Sequence, residues 1–128
     1  MIQPWPKIVE HYEQYLAVQP SLRGLATVAR FIDESPLAGG LHAWTSMHTL
    51  CIVQTEVSYP YQGPMLVVSA AAANQIEFRY ADTPDKTKQW HRTVDPDQAV
   101  ERLLSFLDQL RWFPVDVLES LGYRRVQE

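Results

Sequence analysis

The sequence predicts an α+β domain in which an antiparallel sheet of three to four strands packs against N- and C-terminal helices, in the order α-α-β-β-β-(β)-α-α. Three observations carry this prediction. Apolar residues recur at helical spacing near both ends of the chain, they alternate with polar residues in the middle, and the strand-like segments are bunched together rather than interleaved with helices. With 128 residues and 46% hydrophobic content, the chain fits one domain over residues 1–128 and can fill a core without a disulfide or a metal.

Residues 7–18 place Ile8, Tyr12, Tyr15 and Leu16 at helical spacing, with Pro6 suited to the first turn and Pro20 ending the pattern. Residues 21–34 repeat it with Leu22, Leu25, Ala26, Ala29 and Ile32. Ser21 is expected to cap this helix through its hydroxyl, and Pro36 with Gly39 and Gly40 to end it. Glycine inside a helix costs about 1 kcal/mol against alanine, so Gly24 is expected at a close helix contact.

The period then changes to two. Residues 48–57 are rich in β-branched side chains and read as a strand, with Thr49, Cys51, Val53, Thr55 and Val57 on one face. Residues 41–46 keep the same parity, as a preceding strand or as an extension interrupted near Thr45, Ser46 and Met47. A proline-bounded loop leads to a strand over residues 65–71, and a tight turn around Ala73 and Asn74 leads to another over residues 75–81. There Ile76, Phe78 and Tyr80 face one way and Gln75, Glu77 and Arg79 the other, which is the pattern of a sheet with one packed and one wet face. Trp90, Arg92 and Val94 form a candidate fourth strand. Asp95 as N-cap, Pro96 in the first turn and Gln98 completing a capping box then open a helix carrying Ala99, Val100, Leu103, Leu104, Phe106, Leu107 and Leu110. Pro114 opens a short final helix, and Gly122 is placed to end it.

Composition excludes more than it assigns. The lone Cys51 cannot form an intrachain disulfide and fits a reducing, cytoplasmic setting. The N-terminus lacks the basic and apolar regions of a secretory signal. The longest weakly polar run, residues 64–73, is about half of the roughly 20 residues that span a bilayer. Net charge is −4 and the 11 basic residues are scattered, so neither nucleic acid nor a membrane is an expected partner. The densest basic pair, Arg124 and Arg125, is expected to be a solvated tail.

No pattern points to catalysis, and no cofactor is expected. His48 and Cys51 fall on opposite faces of a strand, and Cys51 is expected to be a buried, inert thiol. His11, His42, His48 and His91 lack metal-ligand spacing; His42, His48 and His91 can meet only if the fold brings them together. There is no nucleophile elbow and no phosphate-binding glycine loop. The aromatic residues are the distinctive feature, because tryptophan, tyrosine and arginine supply most binding hot spots. Trp44, Tyr59, Tyr61, Arg79 and Trp90 are therefore the candidate binding residues, with Trp44, Glu77, Arg79 and Trp90 expected on the wet sheet face.

The functional expectation is a small acidic cytoplasmic module that binds a protein partner. In size, acidity and mixed α/β content it has the profile of bacterial immunity proteins and secretion chaperones, an analogy of profile only. The alternatives are a small-molecule binder with a pocket between sheet and helices, lined by Tyr80, Trp90 and His91, and an enzyme whose histidines and carboxylates the fold assembles.

Overall fold

The computed structural model describes residues 1–58, 61, 63–82, 85, 87 and 89–125. Two helices open the chain, α1 over Trp5–Leu16 and α2 over Arg23–Asp33. In α1 the buried residues Trp5, Ile8 and Tyr12 recur every three to four positions, so they form one stripe. Trp5 Nε1–H donates to the Leu41 carbonyl at 2.9 Å, which satisfies the indole inside the core. Ser21 does not cap α2. It lies inside a 3₁₀ turn, Pro20–Leu22, that runs directly into the helix, rather than at the extended position an N-cap needs. Gly24 is a close contact as expected: a Cβ there would sit 2.5 Å from Ile76 Cγ2, so only glycine lets α2 approach the sheet this closely.

The sheet has five antiparallel strands rather than three to four: β1 His42–Ser46, β2 Thr49–Val53, β3 Met65–Ala70, β4 Ile76–Ala81 and β5 Trp90–Val94, in the spatial order β1-β2-β3-β4-β5. The additional strand is β1, from the region that reads either as a preceding strand or as an interrupted extension. Ser46 pairs with Thr49 across a two-residue turn in which Met47 and His48 have φ of 50° and 70°. Positive φ at both central residues is what a tight hairpin requires, but the usual Asn-Gly signal is missing here. The strand expected over residues 48–57 stops at Val53, because its last register partner is His42 of β1. Thr55 and Val57 lie beyond that pair, so their β propensity has no neighbouring strand to act on. The β3–β4 turn is where the sequence places it, with Ala73 and Asn74 at φ of 59° and 61°. At the N-terminus Gln3 bridges to Ala43, and its side-chain oxygen accepts from Thr45 N–H at 2.9 Å, covering the outer edge of β1.

After β5 the chain turns through Pro96–Gln98 into α3, Ala99–Gln109, and then α4, Val115–Ser120. Asp95 is extended as expected, but its carboxylate does not cap the turn; it accepts from Gln75 Nε2 at 3.1 Å. Both C-terminal helices end in the same reciprocal pattern of backbone bonds. In α4 it is Gly122 N–H to Glu119 and Tyr123 N–H to Leu118, with Gly122 at φ 101°. In α3 it is Arg111 N–H to Asp108 and Trp112 N–H to Leu107, with Arg111 in the left-handed region at φ 60°.

All four helices contribute to one buried cluster with one face of the sheet, through Ala43, Leu50, Ile52, Leu66, Val68, Ile76, Phe78 and Val94. The result is a two-layer α+β architecture. Among the described residues, no helix is long and apolar enough to cross a membrane.

Candidate functional site

Because side chains alternate along each strand, the residues between those core positions occupy the opposite face of the sheet. The register aligns one row across all five strands: Trp44 opposite Cys51, Cys51 opposite Val67, Val67 opposite Arg79, and Arg79 opposite His91. Flanking rows add Met65 opposite Ala81, and Ser69 opposite Glu77 opposite Thr93. Four residues of this face, Cys51, Val53, Val67 and Ala81, are buried yet lie outside the main core cluster. They make a small apolar centre. Around it Trp44, Met65, Glu77 and Arg79 are half-buried, and His91 and Thr93 are exposed.

Arg79 is held in place on this face, donating from Nη1 to Gln89 Oε1 at 2.6 Å. Cys51 sits two strands away in the same row. Burial pushes its thiol pKa up, against the smaller opposing pull of the Arg79 charge. The protonated thiol is a poor nucleophile, in line with the inert cysteine expected from sequence.

The candidate residues therefore divide. Trp44 and Arg79 share the face opposite the helices with Glu77, and all three are half-buried there. Trp90 does not share it: paired with Tyr80, it turns to the helix side, where its ring lies 5.1 Å from Phe106 and 6.1 Å from Tyr80. Its strand parity with the buried Val94 was the signal for this. Tyr61 donates its hydroxyl to the Pro64 carbonyl at 2.9 Å. It lies near enough to Tyr80 that its charge, after burial and Asp82, helps raise the Tyr80 pKa. Tyr59 lies outside the described residues. His91, grouped with Tyr80 and Trp90 as a pocket liner, is on the opposite face from both.

His42, His48 and His91, which only the fold could bring together, are not gathered into a metal-holding group among the described residues. His42 lies at the start of β1, His48 in the hairpin turn and His91 on β5. Instead His48 meets His11, with Nε2 of His11 and Nδ1 of His48 3.0 Å apart, so one ring donates and the other accepts. The carboxylate that sequence reasoning missed is Asp108. It is 8% exposed on α3 and accepts from Arg125 Nε and Nη2 at 2.9 and 2.7 Å and from the Tyr123 hydroxyl at 2.7 Å. The bidentate Arg125 contact is the main cause that holds its pKa down at about 2. Arg125 is therefore a partner of the helix layer rather than part of a solvated tail. The clue was available, because Asp108 follows Leu104 by four residues on the buried stripe of its helix.

A groove of about 730 Å³ runs between α3 and residues 121–124, lined by Val100, Glu101, Leu104, Leu121, Tyr123 and Arg124 among others. It lies outside the interface between sheet and helices, where a small-molecule pocket was expected. No protein-family model, curated protein or solved structure matches the chain.

Proposed function

We propose that this chain is a cytoplasmic protein-binding module that holds its partner on the open face of the sheet. The observation that supports the reading most directly is the row Trp44, Cys51, Val67, Arg79, His91, with its apolar centre and its polar and aromatic rim. That is the anatomy of a protein interface: an apolar middle excludes water, and polar groups around it fix orientation. Trp44 and Arg79 are the residue types that most often dominate binding energy, and both are only half-buried in the free chain. The partner that fits presents an apolar contact patch and a carboxylate placed to meet the Arg79 guanidinium. A reducing compartment suits the protonated Cys51 in the middle of the row.

The test uses the full chain as bait and quantifies the captured partner by titration. Trp44→Ala with Arg79→Ala should weaken binding at least tenfold while the thermal midpoint stays close to that of the unmutated protein. Unchanged binding, or loss of the fold in the double variant, would show that these residues are not the docking surface.

A further inference from the structure

Away from the sheet face, the fold brings together two imidazoles from distant parts of the chain. His11 projects from α1 and His48 from the β1–β2 turn, and their facing nitrogens are 3.0 Å apart. Both sides of this contact are anchored. The buried Tyr12 donates its hydroxyl to the His48 carbonyl at 2.9 Å, which ties the turn to the helix. His48 and Met47 are held at positive φ, a conformation bulky residues rarely adopt without surrounding support. Tyr15 lies against both rings, with centroids 5.1 Å from His11 and 4.8 Å from His48.

We propose that His11 and His48 form a two-imidazole seat for a divalent transition-metal ion of the zinc or nickel class. Zinc–nitrogen bonds of about 2.0–2.1 Å at a tetrahedral angle place two ligand nitrogens roughly 3.3 Å apart. The observed 3.0 Å separation reaches that value with a shift of a few tenths of an ångström. Each ring then turns a lone pair to the ion, through Nε2 of His11 and Nδ1 of His48, and carries its proton on the other nitrogen.

Imidazole is a ligand suited to zinc and nickel, whereas magnesium and calcium prefer oxygen. Among the described residues, no group of three or more His, Cys, Asp or Glu is placed to hold an ion. The chain thus supplies two ligands, and solvent completes the shell. Such an ion would clasp α1 to the hairpin.

Calorimetric titration of the full chain with zinc chloride tests this. One site is expected, with affinity reduced at least tenfold by His11→Ala and by His48→Ala and unchanged by His91→Ala. Zinc affinity unaffected by His11→Ala would overturn the proposal. Because His48→Ala could disturb the turn, a second measurement uses the unmutated chain. Substoichiometric nickel should broaden the ring NMR signals of His11 and His48 before those of His42 and His91. Equal broadening of all four, or none, would overturn the proposal as well.

Discussion

The two faces of the sheet are built from the same alternating strands and end in different environments. On the helix-covered face, Leu50, Ile52, Leu66, Val68, Ile76 and Phe78 are each fully buried, and they join residues from every helix in one cluster. On the other face the buried residues are few and small, and aromatic and charged side chains surround them. The comparison separates two roles. Stability is concentrated where helices cover the sheet, and the opposite face sets half-buried Trp44, Glu77 and Arg79 around its smaller apolar centre. Adjacent residues fall on opposite sides of this division, Val67 on the open face and Val68 in the core.

The largest effect that sharpens the comparison is expected at Phe78. Its ring lies 4.9 Å from that of Phe106, so truncation empties the centre of the sheet–helix interface. Phe78→Ala should lower unfolding free energy by about 3–5 kcal/mol in denaturant titrations. A smaller and more pointed pair of variants is Val68→Thr and Val67→Thr. A hydroxyl at Val68 enters an apolar cluster without a partner and should cost about 1–3 kcal/mol. At Val67 the same change should cost less, because this residue lies in the small apolar centre outside the main core cluster. Equal losses at the two positions would break the distinction between the faces.

The smallest expected effect is confined to acid. The Asp108 pKa is depressed to about 2 by its bonds to Arg125, so this carboxylate contributes stability that is fully present above its unfolded value near 3.8. That contribution is lost as pH falls from about 4 through about 2. Asp108→Asn removes the titrating group, and its stability should decline less steeply than that of the unmutated chain over this interval when both are unfolded by urea.

Much of the fold was legible because helical and strand periods are local properties. The helix stripes through Ile8 and Tyr12 and through Leu103 and Leu107, the alternation of β4 and the contact at Gly24 all follow from spacing. The first hairpin was obscured because Met47 and His48 hold a turn that normally carries Asn and Gly, a tertiary demand with no sequence signal. The site was only partly legible. Strand parity places Trp44 and Arg79 each on a face, but whether the two faces coincide depends on pairing register, which one sequence does not contain. The His11–His48 contact and the Asp108–Arg125 pair are long-range in the same sense: neither spacing nor composition connects α1 to a turn, or a helix to the chain end.

Methyl NMR of the chain with its captured partner tests the central claim most directly. The account predicts that Val53 and Val67 methyl signals shift on binding while Leu50, Val68 and Ile76 stay near their free positions. Shifts confined to core or helix methyls, with Val53 and Val67 unmoved, would contradict it.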